Sequence, residues 1–279
     1  MYTTLITCSQ LMAAPSDSLI VLDCRFQLDN PDYGHAAYDA GHLPGAHYLH
    51  LDYHLSGSKN GGNGRHPLPD GQRLAVDLGA IGVQPDSQVV IYDDGVGQYA
   101  ARAWWLLRWL GHGKAAVLDG GLAAWKQAGG ALSVEAPHRQ PRRFSIRAAL
   151  AQTVDANAVL ANLDAPTFTV VDARSHERFR GIGETLDPVA GHIPGAANRF
   201  FMDNLTPAQR FKTPAQLRAE WQALLGEGFD PARIVHQCGS GVTACHNLLA
   251  MEIAGLPGSR LYPGSWSEWC SDPARPVAV

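Results

Sequence analysis

Four short blocks occur twice in this chain, in the same order. GHLPGA at Gly41–Ala46 returns as GHIPGA at Gly191–Ala196, 150 positions on, and LIVLDCR (Leu19–Arg25) returns as FTVVDAR (Phe168–Arg174), 149 on. QVVIYDD (Gln88–Asp94) aligns with RIVHQCG (Arg233–Gly239), 145 on, and GGLAAW (Gly120–Trp125) with GSWSEW (Gly264–Trp269), 144 on. A slowly drifting offset across four ordered blocks marks a tandem duplication, and its period is far longer than any solenoid repeat. Each copy is therefore expected to be a whole domain. At 279 residues and 46% hydrophobic, the chain has material for two cores.

Within each copy, short β-branched runs such as LIVLDC, VVIYD and AAVLD are bounded by polar or Gly residues, as buried parallel strands are. QYAARAWWLLRWLG (Gln98–Gly111) puts Trp104, Leu107 and Leu110 on one helical face and closes on Gly. Alternating strands and helices predict an α/β fold, each copy a mainly parallel sheet with helices on both faces. Between the copies, Gly129–Leu150 is rich in Gly, Pro and Arg and has no sustained periodicity. The expected division is 1–137 for the first domain, 138–150 for the linker and 151–279 for the second domain.

Charge and composition exclude several classes. Lys+Arg number 22 against 26 Asp+Glu, a net charge of -4, which offers no basic surface for nucleic acid. No apolar run approaches the ~18 residues of a membrane span. The start, MYTTLITCSQLMAAPSDS, lacks a basic region followed by a long apolar run, so no signal peptide is expected. Cysteines stand at 8, 24, 238, 245 and 270, an odd number without a CxxC pair. A disulfide framework is not expected and a reducing cytoplasm is. No His/Cys cluster has ligand spacing, so neither a metal nor an organic cofactor is expected.

One of these cysteines lies in HQCGSGVTAC (His236–Cys245). RIVHQ has the pattern of a strand and ACHNLLAMEIAG (Ala244–Gly255) that of a helix, so Cys238 falls between a strand end and a helix N-terminus. Two readings follow from the spacing: a buried cysteine before a turn, or a thiolate cradled by backbone amides. In the second, N–H groups from Gly239, Ser240, Gly241, Val242 and Thr243 to Ala244 converge on the sulfur, with the helix dipole behind them. Gly239 and Gly241 let the backbone bend tightly, while Ser240 and Thr243 add hydroxyl donors. Cys238 then attacks a sulfur, becomes a persulfide and passes the sulfur on. A cysteine-dependent phosphatase, which needs C-x5-R, is excluded because position 244 is Ala. Cys245, inside the helix, and Cys8, Cys24 and Cys270 have the character of small core hydrophobes. His236 is expected to be a buried histidine.

LDCR, GHLPGA and DGGLAAW in the first half, with VDAR, GHIPGA, CGSGVTA and GSWSEW in the second, resemble the two-domain rhodaneses, the thiosulfate and 3-mercaptopyruvate sulfurtransferases. The resemblance spans nearly the whole chain. It implies a sulfurtransferase whose nucleophile, Cys238, lies in the C-terminal domain. The first copy has Asp93 where the second has Cys238, and a carboxylate accepts no sulfane sulfur, so that copy is expected to be catalytically silent. Gly239-Ser240-Gly241 is similar to the loop of the mercaptopyruvate members. The resemblance then implies that Ser240 works with Asp52 and His66 of the first half, Ser240 and Asp52 as a proton relay and His66, in GRHPLPDG, as a group that orients the substrate or binds its carbonyl. It implies Arg178, in HERFRG, as the carboxylate clamp and Arg180 as a second substrate contact. The family's further arginine shortly before GHIPG is absent from GIGETLDPVAGHIPGA, which keeps thiosulfate open as the donor. The implied partners are a small sulfur donor, an acceptor such as cyanide or a thiol, and thioredoxin or another reductant. A persulfide carrier or regulatory module without turnover is the rival reading.

Overall fold

The computed structural model describes residues 1–15 and 19–279; residues 16–18, which end the stretch read for a signal peptide, lie outside the described residues. The chain divides into two compact units. The first comprises Met1–Gly57, Pro69–Leu150 and Pro207–Arg210, and the second Ser58–Leu68, Ala151–Thr206 and Phe211–Val279. A short segment from each half thus belongs to the other half's unit, which a single cut at a linker does not capture. Among the described residues no helix is long and apolar enough to cross a membrane.

The first unit runs β1 (Leu5–Ile6), α1 (Cys8–Met12), β2 (Leu19–Asp23), α2 (Tyr33–Ala40) and β3 (Ala46–Tyr48). It continues through α3 (Gly71–Ala80), β4 (Gln88–Tyr92), α4 (Gln98–Trp109), β5 (Ala115–Leu118) and α5 (Gly121–Gln127). Its strands pair in parallel in the order β1-β5-β4-β2-β3. Val21, Val90 and Ala116 pack with Leu11 of α1 and with Leu122 and Trp125 of α5. Val89 and Ile91, one residue out of phase, point to the opposite face, and α4 packs on β4 and β5.

The second unit runs α6 (Ala156–Asp164), β6 (Thr169–Asp172), α7 (His176–Phe179), β7 (Ala197–Asn198) and α8 (Pro214–Leu225). Then follow β8 (Ile234–Gln237), α9 (Thr243–Ile253), β9 (Arg260–Leu261) and α10 (Ser265–Trp269). Its parallel order, β7-β6-β8-β9, matches β3-β2-β4-β5 of the first unit. The counterpart of β1 shrinks to one bridge, Thr153 to Leu261. Val170 and Val235 pack against Val159 of α6 and Trp266 and Trp269 of α10; Val171 and Ile234 pack against Trp221 of α8 and Met251 of α9. Both faces of each sheet are covered, which is why the strands are apolar throughout rather than alternating.

Two of the repeated blocks are structural. The arginine of each D-x-R run folds back on its own aspartate, Arg25 Nη2 to Asp23 at 2.6 Å and Arg174 Nη2 to Asp172 at 2.7 Å. The same nitrogens donate to the carbonyls of Gly41 (2.9 Å) and Gly191 (2.7 Å), which open the GHxPGA blocks. The histidines of those blocks stack on aromatic rings, His42 on Tyr38 and His192 on Phe179, at 3.9 and 3.8 Å. These contacts seat the chain beyond β2 and β6 against the sheet. Asp23 also accepts from the Tyr92 hydroxyl and is fully buried. Asp23→Asn leaves the Arg25 guanidinium buried without its counter-charge and is expected to cost about 3 kcal/mol in urea unfolding. A loss below about 1 kcal/mol, the range of an exposed pair, contradicts this.

Candidate active site

β8 ends at Gln237 and α9 begins at Thr243, so Cys238–Val242 make the turn between them. Val242, at the N-cap, offers no side-chain cap to the N–H groups of this helix start. The Gly241 N–H donates to Cys238 Sγ at 3.1 Å. Gly241 has φ +78°, and a β-carbon there would stand 2.3 Å from the Pro263 carbonyl oxygen, so no larger residue fits.

The turn is held from one side by the start of α10. The Cys238 N–H donates to Ser265 Oγ at 3.1 Å. The Cys238 carbonyl accepts from Trp266 N–H, and the Gly239 carbonyl from Ser267 N–H, each at 2.9 Å. Ser265 holds this position at φ +56°, and the first copy has Gly121 at the same φ of 56°. The GSWSEW block is therefore the clamp on the cysteine loop, a role its sequence alone did not disclose.

Three further side chains of the second unit surround the loop. Ser240 Oγ is 2.7 Å from Nδ1 of His66, and both residues are buried. Arg178 on α7 sends Nε and Nη2 to Glu184 at 2.9–3.0 Å, and Nη2 lies 3.3 Å from Asp187. Arg65, one residue before His66, pairs through Nη1 with Asp187 at 2.5 Å and anchors its N–H on Ser267 Oγ at 2.9 Å. Burial alone raises the Glu184 carboxyl, but the Leu186 N–H and the Arg178 guanidinium outweigh it and hold it below its ordinary value.

Cys238, Gly239, Ser240, Gly241, Val242, Thr243, His66 and Arg178 thus belong to one unit, the loop residues contiguous and His66 bonded to Ser240. The resemblance groups Ser240 with Asp52 and His66, and His66 Nδ1 lies 2.7 Å from the Ser240 hydroxyl. Asp52 belongs to the first unit, where its N–H donates to His50 Nδ1 at 3.0 Å. Arg180 is exposed, and its Nε donates to the His176 carbonyl at 3.1 Å, which turns it onto its own helix end. Arg65 was missed, although it stands inside GRHPLPDG; an arginine on a polar Gly-rich stretch has the appearance of a solvated side chain.

The remaining candidates are core. His236 is fully buried, within 2.9 Å of Met251 Sδ, and burial pushes its pKa down to about 3, so it stays neutral. Burial pushes the thiols of Cys8, Cys24 and Cys270 up, away from reactivity. Cys245 is buried in α9 and its thiol donates to the Gly241 carbonyl at 3.3 Å.

The matching loop of the first unit holds a carboxylate. Asp93 follows β4 as Cys238 follows β8. Its Oδ1 accepts from the N–H of Gly95 and Gly97, and its Oδ2 from Tyr99 and Ala100, at 3.0–3.1 Å. Its carbonyl accepts from Leu122 N–H at 2.9 Å, the counterpart of the Trp266 bond. In the first copy four backbone N–H groups thus close on the carboxylate, where in the second the Gly241 N–H meets Cys238 Sγ. Burial, working against those four donors, pushes the Asp93 pKa up to about 6.

A family model described as a rhodanese-like domain matches residues 7–128 and again 155–272. Over 278 residues the chain is 51% identical to a probable 3-mercaptopyruvate sulfurtransferase of Pseudomonas aeruginosa, covering 99% of this chain and 98% of that one. It is 42% identical over 281 residues to a putative thiosulfate sulfurtransferase, SseB, of Mycobacterium tuberculosis, covering 98% and 96%. Among solved structures it is similar to SseA of Escherichia coli, a 3-mercaptopyruvate sulfurtransferase. The TM-score is 0.80 and the identity 30%, over 95% of this chain and 99% of that one.

Because Glu184 titrates below the ordinary 4.5, its contribution to stability is present above that value and is lost as pH falls through its folded pKa. Glu184→Gln is expected to cost about 1–2 kcal/mol at pH ~7, discounted because Arg178 is partly exposed. In urea titrations the gap from the parent protein closes as pH falls below about 4. A gap that widens on acidification contradicts the assignment.

Proposed function

The chain belongs to the rhodanese family, and from that premise we propose that it is a sulfurtransferase that takes sulfur from 3-mercaptopyruvate through a persulfide on Cys238. The observation that carries this reading is the N–H of Gly241 directed at Cys238 Sγ from the start of α9, in a loop fixed on both sides. Such a donor stabilises the thiolate and, after transfer, the anionic persulfide.

The Cys238 thiolate attacks the thiol sulfur of the donor. The sulfur–carbon bond breaks, and its electron pair goes to the carbon, where the adjacent ketone holds it as the pyruvate enolate. The donor's thiol proton passes through Ser240 Oγ, hydrogen-bonded to His66 Nδ1, and ends on that carbon. Cyanide then attacks the outer sulfur, leaves as thiocyanate and restores the thiolate; a thiol acceptor leaves instead as its own persulfide. Thioredoxin or a similar dithiol is the reductant class that discharges such a product. A reducing compartment such as the cytoplasm, where a thiolate persists, suits this chemistry. The first unit takes no part in the covalent step, because Asp93 already occupies its cradle.

Mercaptopyruvate is favoured over thiosulfate by the loop itself. Ser240 Oγ, bonded to His66 Nδ1, offers a route for the thiol proton that mercaptopyruvate must give up and that a thiosulfate dianion does not carry. A thiosulfate donor is the second reading, supported by the name of the Mycobacterium tuberculosis relative.

Steady-state kinetics with both donors and cyanide as acceptor test these statements together. kcat/KM for 3-mercaptopyruvate is expected to exceed that for thiosulfate by roughly tenfold or more. Cys238→Ser is expected to lower activity by roughly a thousandfold or more with either donor. A higher kcat/KM for thiosulfate overturns the preference, and retained activity in Cys238→Ser overturns the nucleophile.

A further inference from the structure

Arg65 is the residue of the loop's surroundings that this chemistry has not yet used. It comes from Ser58–Leu68, the part of the first half that belongs to the second unit. A β-carbon on Gly239 would stand 3.0 Å from Arg65 Nη2 and 3.7 Å from both terminal nitrogens of Arg178. Two guanidinium groups therefore abut the residue next to the nucleophile.

Both are held in place by buried acids and still have donors to spare. Asp187, its side chain 2% exposed, bridges them, with one oxygen on Arg65 and the other on Arg178. Glu184, 3% exposed, takes the Nε edge of Arg178. Among the described residues Arg65 Nη2 and Arg178 Nη1 donate no hydrogen bond, and Arg65 Nε is buried without one. The backbone of Arg65 is fixed by the bond from its N–H to Ser267 Oγ, on the same turn of α10 that clamps the loop. Its neighbour His66 holds Ser240. One dipeptide, Arg65-His66, thus supplies a cation beside Gly239 and an imidazole at Ser240.

We propose that Arg65 is a specificity-determining residue that binds the carboxylate of the sulfur donor together with Arg178. It replaces, from a different segment, the cation missing between Gly181 and Gly191. The proposal rests on the mercaptopyruvate reading and deepens it. A three-carbon α-keto acid carries its carboxylate at a fixed distance from its sulfur, and two converging guanidinium groups fix that end while Cys238 meets the other. A β-carbon on Gly239 would press on the Arg65 guanidinium. Asp187 holds the two guanidinium groups together while, among the described residues, Arg65 Nη2 and Arg178 Nη1 donate no hydrogen bond.

The test compares Arg65→Gln and Arg65→Lys with the parent protein on 3-mercaptopyruvate and on 3-mercaptopropan-2-one, in which a methyl group replaces the carboxylate. Pyruvate, titrated by NMR, serves as a carboxylate probe that undergoes no turnover. Arg65→Gln is expected to raise KM for 3-mercaptopyruvate roughly tenfold or more with kcat little changed, and to weaken pyruvate to a similar degree. Arg65→Lys recovers part of both losses, and kinetics on the carboxylate-free donor are unchanged in Arg65→Gln. An equal loss on both donors, or pyruvate binding that ignores Arg65, overturns the proposal. Failure of the parent protein to turn over either donor sinks the sulfurtransferase reading instead, while the pyruvate titration still decides the role of Arg65.

Discussion

The backbone of Cys238 is tied at both its N–H and its carbonyl to the first residues of α10, and the active-site loop depends on those two bonds. They set the direction in which the chain leaves β8. The Gly241 N–H can then turn back on the sulfur, and Gly241 can press against Pro263. The same turn of α10 receives Arg65 through Ser267. Cys238, Gly239 and Arg65 are thus all tied to one short helix. Trp266, which donates one of these bonds, is fully buried in the core and lies under the Arg174 guanidinium at 4.7 Å. Loop geometry and core packing are therefore coupled, so the site does not rely on loop stiffness alone.

The duplication shows how one scaffold carries two outcomes. In both units a strand ends, the next residue's carbonyl accepts from the start of a later helix, and the turn that follows donates backbone N–H to that residue's side chain. In the second unit the acceptor is Cys238 Sγ, which takes the Gly241 N–H. In the first it is the Asp93 carboxylate, permanently attached and satisfied by four N–H donors. The difference in chemistry is large.

Much of this was legible because duplication writes each constraint twice. The strands, the α/β class and the Cys238 turn followed from repeated apolar runs and from Gly-rich punctuation. What escaped depends on side chains meeting across long sequence separations. Arg65 and Asp187 stand 122 positions apart. No periodicity encodes such a pair. GSWSEW was recognised as a repeat block, yet its function as the clamp required the register between α10 and Cys238. The resemblance groups Ser240 with both Asp52 and His66, and the bond observed is the one to His66. Arg180, on the same short stretch as Arg178, turns onto a backbone carbonyl, a distinction that one helical step decides and composition does not.

The central claim is that Cys238 carries the transferred sulfur as a persulfide. Its most direct test is mass spectrometry of the protein after exposure to 3-mercaptopyruvate, followed by peptide mapping. The account predicts a gain of one sulfur atom located on the Cys238 peptide, lost again on addition of cyanide as thiocyanate appears. No gain of sulfur, or a gain located on Cys245 or another cysteine, contradicts it.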